Sequence, residues 1–385
     1  MFYTMKESKK LLYVTNYEIS DSSDGISKKI NQQMDGFNNL GFEVDFLIKS
    51  SEGIKCKFGG KIKKIKIAKV FSYIYYFSIG VIVKEEKKRW DLVYIRNPHG
   101  GFFPLLFPVF LFIIRSKTKS LILEIPNYPY DNELNTLKGK VSLFSHKLVR
   151  PLLSRFVDEI YYMGALQNEI WGIKCRRIFN SMNKNQVNLV SRDGVAHKSR
   201  DKIIFVGVAN VACYHGYDRL IRSIARFKGE NCQSNYVFEV VSPINAECQK
   251  LINLVEMLGC TEEVKFHGRL SGVELDALFN NCHIGVDSLA RHRVGNSYND
   301  SIKSKEYAFR GLPIVKAHLD DAFQGADFVF DVNADDSTFD LPAIESWFHD
   351  LRTDPQNIRD YASERFVWEK QFENLLCGLC LEKYG

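Results

Sequence analysis

One alternation constrains this chain more than anything else in it: apolar runs and amphipathic stretches take turns, stop once, and start again. Leu11 to Val14 is a short apolar run that enters a polar, glycine-containing loop, TNYEISDSSDGISKKI. A helical pattern follows, with Ile30, Met34, Phe37 and Leu40 on one face and Gly41 as its stop; FEVDFLI then reads as a strand. Parallel neighbours need a crossover long enough to hold a helix, so strand, loop, helix, strand is the unit of a parallel sheet. DLVYIR, LILEI, VDEIYYM and RRIFNSM read as further strands. Residues 184–200, KNQVNLVSRDGVAHKSR, are polar and aperiodic and read as a linker.

After the linker the pattern restarts. KIIFVGVA reads as a strand, and YDRLIRSIARF as a helix with Leu220, Ile221, Ile224 and Phe227 on its apolar face. YVFEVVS, AECQKLINLVEMLG, VKFHG, SGVELDALFNNC, HIGVDSL, SIKSKEYAFRG and LPIVKA continue the alternation. A chain of 385 residues is too long for one ordinary core. The expected fold is α/β, two doubly wound Rossmann-like domains in tandem, the first over residues 1–185 and the second over 195–350. Such sheets bind ligands at the carboxyl ends of their strands, and the cleft between two such domains is the expected active site. The tail from Ile344 to Tyr384 reads as helical and rich in aromatics.

Composition narrows the function classes. With 52 Lys+Arg against 46 Asp+Glu, the net charge of +6 is too small to argue for nucleic acid. Its distribution is uneven. From Lys55 to Lys69 lysines interleave with Ile54, Phe58, Ile62, Ile65 and Ile67 and no acid intervenes. That stretch fits a solvated strand or loop edge, and it also fits a surface drawn to anionic lipid headgroups. The apolar run Phe102 to Ile114 is shorter than a bilayer span and holds Pro104 and Pro108. It reads as a buried helix or a patch touching a bilayer surface. The nine cysteines are scattered. Only Cys377 and Cys380 form a CxxC, with no second pair or nearby His to complete a zinc site. Reduced structural thiols in a cytoplasmic protein are expected. The first residues, MFYTMKESKKLLYVTNYE, lack the apolar core of a signal peptide.

NDSIKSKEYAFRG carries the chemistry. Asn299, Asp300 or Ser301 suits the N-cap of a short helix, Gly311 suits its C′ position, and Pro313 follows. Free N–H groups and the positive end of the helix dipole favour an anion there, and Lys303 and Lys305 add charge. Glu306, one turn in, fits either of two roles: a carboxylate accepting hydrogen bonds from a sugar diol, or a dipole-complementing Glu on a solvated helix.

SKEYAFRGLPIV resembles the nucleotide-binding element of retaining glycosyltransferases of family 4, which have the GT-B fold. The family pattern is a Glu, seven residues, a second Glu, a small-residue helix and Gly-x-Pro followed by two apolar residues. Glu306 matches the second Glu, which in the family holds the donor's ribose hydroxyls; the first falls on Tyr298. The resemblance implies that the loop Asn299, Asp300, Ser301 and Ile302 offers N–H groups to the donor diphosphate, with Lys303 meeting it as well. IIFVGVANVACYHGYDRLI resembles the family strand and loop at Gly207 and Gly216. The family Arg there falls on Val208 and the Lys on His215, which leaves His215, Arg219 or Lys303 to compensate phosphate charge. VKFHGRL, at Gly268 and Arg269, resembles the turn that reads the nucleobase. IFNSMN around Asn180 resembles the turn before the interdomain linker, and SSDGISKKI, at Gly25, the N-terminal glycine loop. A C-terminal helix, 358–385, is expected to complete the first domain.

Many family members carry a His after a middle strand of the first domain. LEIPNYPYDNEL has none, which leaves Tyr128, Tyr130, Asp131 and Glu133 as acceptor-side candidates, with His99 the nearest His. The resemblance implies transfer of a sugar from a nucleotide-diphosphate donor to a glycan or lipid-linked glycan, with Glu306, Lys303 and His215 at the centre. It implies neither cofactor nor metal, since no Asp-x-Asp is present; the basic stretch 55–69 and the apolar run 102–114 of the acceptor domain suit a lipid-linked acceptor at the inner membrane face, with polysaccharide or O-antigen assembly as the setting. Two rivals share the fold, a nucleotide-sugar epimerase and a non-catalytic nucleotide- or sugar-binding protein. A dinucleotide-dependent oxidoreductase would need Gly-x-Gly-x-x-Gly after a strand, and neither candidate loop has it.

Overall fold

The computed structural model describes residues 8–19, 25–66, 74–98, 105–131, 137–183, 202–231 and 236–376. The chain divides into two compact units, Met1–Phe179 with Trp368–Gly385, and Asn180–Val367. The polar stretch 184–200, Cys377 and Cys380 lie outside the described residues.

The first unit runs β1 (Lys10–Glu18), α1 (Gly25–Asn39), β2 (Glu43–Ser50), β3 (Gly53–Phe58), β4 (Lys61–Lys66), α2 (Tyr75–Glu85), β5 (Trp90–Arg96), α3 (Leu106–Arg115), β6 (Thr118–Tyr128), α4 (Leu137–Leu153), β7 (Glu159–Gly164), β8 (Glu169–Ile170) and β9 (Ile173–Arg177). Its sheet has the order β4-β3-β2-β1-β5-β6-β7-β9-β8. The centre, from β2 through β9, is parallel, while β3–β4 and β8 are antiparallel additions at the two edges. As far as Lys66 the lysine-rich stretch is thus an edge hairpin, with Lys61, Lys63, Lys64 and Lys66 all on the exposed strand β4. Charged residues, Lys above all, keep an edge strand from pairing with other chains.

The second unit runs β10 (Ile203–Val208), α5 (Tyr217–Asn231), β11 (Tyr236–Val241), α6 (Ala246–Leu258), β12 (Val264–Phe266), α7 (Gly272–Asn280), β13 (Ile284–Val286), α8 (Ile302–Phe309), β14 (Ile314–Lys316), β15 (Val329–Asp331), α9 (Leu341–Asp350) and α10 (Pro355–Arg365). Its sheet is wholly parallel, in the order β12-β11-β10-β13-β14-β15. The last described helix, α11 (Trp368–Leu376), returns to the first unit. Where the sequence predicts one closing helix at 358–385, two occur. Pro355 sets the first turn of α10, and the chain breaks at Phe366, whose carbonyl accepts from the Met182 N–H at 2.8 Å.

Strands buried on both faces read as continuous apolar runs, and their alternation sorts side chains into two cores. Leu12, Val14, Val93 and Ile95 face α2 and α3. Leu11, Tyr13, Leu92 and Tyr94 face the opposite layer, where Phe37 of α1 stacks on Phe372 of α11 with ring centroids 3.9 Å apart. Leu106–Arg115 of the apolar run forms α3, which buries Phe107, Phe110, Leu111 and Ile114; Pro108 sits in its first turn, where its missing N–H has no partner to lose. No helix among the described residues is long and apolar enough to cross a membrane.

The seat of α11 is close. A Cβ at Gly36 would lie 2.8 Å from the Trp368 Cβ. Gly36→Val is expected to lower stability by about 1–3 kcal/mol through overpacking. Chemical denaturation checks it, with Gly229→Ala, whose Cβ meets open space in α5, as a control expected to be neutral or stabilising by up to about 1 kcal/mol.

Candidate functional site

The carboxyl edge of the second sheet gathers the predicted chemistry around a residue the sequence reading passed over. Strand β13 ends at Val286, and Asp287 follows it, fully buried. One carboxylate oxygen of Asp287 accepts from the Ser288 N–H at 2.7 Å and lies 3.0 Å from the Lys303 Nζ. The other accepts from the Ser304 hydroxyl and lies 3.7 Å from the His318 Nε2. Burial alone would raise this carboxyl's pKa; Lys303, His318, Ser304 and Ser301 outweigh it and hold the group well below the usual carboxylate range. Asp287 is therefore an anion that ties the start of α8 to the end of β13.

His215 closes a short 3-10 turn, Cys213–His215, that ends at Gly216 with φ +64°. A Cβ at Gly216 would fall 2.7 Å from the Ala290 Cβ and 2.8 Å from its nitrogen, so only glycine lets this loop lie against the one after β13. The Leu289 N–H donates to the His215 carbonyl at 2.9 Å, which joins the two loops. The His215 Nδ1 accepts from the Ala212 N–H at 2.9 Å, so a neutral ring carries its proton on Nε2. Burial, then Lys303, push the imidazole pKa down to about 3, with Arg291 adding to the effect. His215 is thus a neutral hydrogen-bond donor, which corrects its expected role as a cation standing in for a family Lys. Arg291 lies over the Tyr214 ring, 5.0 Å from its centroid, and has no carboxylate partner among the described residues. The basic run Arg291-His292-Arg293 was the signal for it.

Helix α8 presents two faces. Ser304, Lys305, Tyr307, Ala308 and Phe309 are buried, while Lys303 and Glu306 are partly exposed. One Glu306 oxygen accepts from the Arg310 Nη2 at 3.2 Å; Arg310 also pairs with Asp276 at 2.7 Å. Lys305 points inward and bridges Asp300 at 2.5 Å and Asp320 at 2.8 Å, under the rings of Phe323 and Phe366. The other Asp300 oxygen accepts from the Asn180 N–H at 2.6 Å. The Asp300 carboxylate and Lys305 therefore position the helix start and are spent on internal partners, so Lys305 does not add the charge for an anion that was expected of it. Ser301 takes the N-cap position without a side-chain capping bond.

No family model matches the chain, and no curated protein matches it in sequence. Solved structures do match. A glycosyltransferase from Rickettsia africae is similar over 98% of this chain and all of its own, at a TM-score of 0.64 and 12% identity. Sucrose-phosphate synthase from Thermosynechococcus elongatus is similar over 97% and all of its own length, at 0.62 and 12%. The Anabaena protein HepE, solved in complex with UDP and glucose, is similar over 96% and 99% of its own, at 0.59 and 14%. The chain has the GT-B fold.

Other predicted residues of this GT-B chain fall as follows. Arg219 is a further correction. It is buried, its guanidinium donates to the carbonyls of Ser337, Leu289 and Asn333, and it stacks on Phe339, so it braces the fold. Gly207 lies under the Tyr217 ring. Gly268 makes a left-handed turn, φ +68°, whose carbonyl accepts from the Ser242 N–H, and Arg269 beside it is exposed. The Asn299 N–H donates to the Leu319 carbonyl, and Ile302 opens α8. In the first unit, Gly25 opens α1 and Tyr128 ends β6. The Tyr130 hydroxyl accepts from Asn97 at 3.2 Å and from Arg150 at 3.3 Å, and lies 3.0 Å from the His146 Nδ1. Asp131 holds Arg150 through both oxygens. These two form an anchored cluster, and His146 and Arg150 are members that sequence reading missed. Glu133 and His99 lie outside the described residues. Among the described residues no group of three or more His, Cys, Asp and Glu could hold a metal ion.

Lys305→Ala would leave two buried carboxylates unpaired and is expected to cost about 3–5 kcal/mol of stability, read from denaturant unfolding. The depressed His215 pKa has a pH signature. An unfolded imidazole binds protons near pH 6.5, the folded one near 3, so stability falls as pH drops through that window. The fall in melting temperature from pH 7 to pH 5 is expected to be smaller in His215→Asn; an equal fall would contradict the assignment.

Proposed function

We propose that this chain is a retaining glycosyltransferase of the family 4 type. It moves a sugar from a nucleoside-diphosphate donor, UDP-sugar before GDP-sugar, to a growing glycan. The acceptor we assign is a lipid-linked unit of a bacterial surface polysaccharide or O-antigen, built at the cytoplasmic face of the membrane. One observation carries the reading: the N-terminal turn of α8 opens at the carboxyl edge of the second sheet with Lys303 and Glu306 on its less buried face. It does so in a chain whose fold is similar over 97–98% of its length to a glycosyltransferase and a sucrose-phosphate synthase.

In this reading the diphosphate lies on the N–H groups leading into α8. Lys303 and Arg291 supply positive charge, and the neutral His215 donates from Nε2. Arg291 takes the place left by the missing family Arg at Val208. The Glu306 oxygen that Arg310 leaves free accepts from the ribose hydroxyls, and the Gly268 turn meets the base. The donor bond from sugar C1 to the phosphate oxygen breaks as the acceptor oxygen bonds to C1 on the same face. The acceptor proton passes to the departing phosphate oxygen. Charge develops on the leaving diphosphate, where fixed donors and cations stabilise it without reorganisation. No protein nucleophile takes part. Because protein groups supply the charge compensation, transfer should survive chelation of divalent cations. The acceptor side is assigned to the first unit, at Gly25, Tyr128 and the Tyr130–Asp131 cluster.

Calorimetric titration with UDP, GDP, ADP and CMP tests this. One diphosphate should bind, and Glu306→Ala should weaken it about 10-fold or more, roughly 1.4 kcal/mol. Arg291→Ala should weaken the diphosphate while leaving the free nucleoside unaffected. If no nucleotide binds, or Glu306→Ala changes nothing, the reading fails. Tyr298 in place of the first family Glu favours one rival: nucleotide binding with neither transfer nor donor hydrolysis would make this a non-catalytic binding protein.

A further inference from the structure

Helices α5 and α6 cover one face of the second sheet, and a cavity of about 450 Å³ opens between them near its carboxyl edge. One wall is the segment that follows β10, at Val211, Ala212 and Cys213. The floor is apolar: Leu251 and Leu254 of α6, both buried, and Tyr217, with which α5 begins. A close-packed interior leaves few voids larger than a water molecule, whereas small-molecule pockets run from roughly 300 to 1,000 Å³.

The wall is held in place by the protein itself. The Asn245 side chain donates to the Asn210 Oδ1 at 2.7 Å and to the Val211 carbonyl at 2.9 Å. At the other end of the segment Arg293 donates to the Cys213 carbonyl at 3.1 Å. The cavity is therefore built before a ligand arrives, and little ordering is left to oppose binding.

The charges at its border say what it takes. Both Asp218 oxygens accept from the Arg293 guanidinium at 2.8 Å, and a Glu247 oxygen accepts from the Lys250 Nζ at 2.5 Å. Arg222, exposed at the same border, makes no hydrogen bond, ion pair or ring contact among the described residues. The first turn of α5 also borders the cavity, and the positive end of its dipole favours an anion. An apolar floor beneath one uncommitted guanidinium suits an apolar body that carries a single carboxylate, sulfonate or phosphate.

The position of the cavity gives such a ligand a lever. Cys213 opens the short turn that closes with His215, whose carbonyl accepts from the Leu289 N–H. A molecule resting on Ala212 and Cys213 lies against the outer side of that turn. We propose that the α5–α6 cavity is a second ligand site, for a small apolar molecule with one anionic group, and that its occupant lies against the turn Cys213–His215. Of the residues assigned to the donor, Gly216 alone borders it.

Fluorescence titration of the full chain with anilinonaphthalene sulfonate tests this, beside phenylnaphthylamine, the same ring system without the sulfonate. The wild type should bind the sulfonate about tenfold or more tightly than the neutral dye. Arg222→Glu should erase that difference. Cys213→Trp fills the cavity from an exposed position and should weaken both dyes about tenfold or more. Both substitutions are at exposed residues, so melting temperatures should be unchanged. Bound sulfonate should also slow alkylation of Cys213 by N-ethylmaleimide about tenfold or more, read from the mass of the labelled peptide. The proposal is overturned if the wild type binds neither dye, if it binds both equally, or if alkylation of Cys213 keeps its rate. Dye binding that neither substitution alters lies elsewhere on the molecule and overturns it as well. Titration with nucleoside diphosphates reads the donor site separately, so either proposal can fail alone.

Discussion

Everything in the candidate donor site depends on a buried cation. Lys305 sits between Asp300 and Asp320 in an apolar surround, and this pairing fixes where α8 begins. Burial opposes a charged lysine, and the two carboxylates reverse that, so its pKa is raised. Because Asp300 also holds the Asn180 backbone, the same ion cluster ties α8 to the point where the chain enters the second unit. A helix of eight residues has too few internal bonds to hold its own direction. Side chains that lock its first turn therefore decide where Lys303 and Glu306 point.

The alternation of strand and helix was legible in the second unit almost element by element, because each parallel strand is a short apolar run and each helix carries its own stop. Gly259 after α6 and Gly311 after α8 adopt the left-handed conformation such stops require. The first unit was harder. Nothing in the local pattern separates α2 from a buried strand, since Tyr75 to Val83 is apolar all round. Helix α4 defeats a core-facing search for a different reason, as it carries exposed apolar residues, Val141, Phe144 and Leu148, besides the buried Val149 and Leu153. The break between α10 and α11 was also hidden, because Phe366 and Trp368 are both buried, one in each unit, and aromatic content alone does not say in which.

Site residues divide along the same physical line. The places of Glu306 and Lys303 at the start of α8 were legible because helix caps and motif spacing are local. Asp287 and His318 were not, because their roles come from pairing across two strands, β13 and β14, that a sequence does not place side by side. Arg219 and Asp300 carried charge in the right segments but were spent internally, on backbone carbonyls and on Asn180. A buried charge needs partners, and whether those partners are protein or ligand is settled only by the fold.

The electrostatics of the second unit follow from this division. Asp287 neutralises much of what Lys303 brings, and His215 stays uncharged beside it. The net positive character of the edge therefore rests on the α8 terminus and on Arg291, whose guanidinium is held by an aromatic ring and not by a carboxylate. A site arranged this way keeps its cations oriented by neutral or compensated neighbours before any anion arrives. That is the condition under which fixed charges stabilise a developing anion most, since little rearrangement is left to be done when the charge forms. A fold shared at 12% identity does not by itself require that condition; here a handful of side chains meets it, in loops that the sheet holds together.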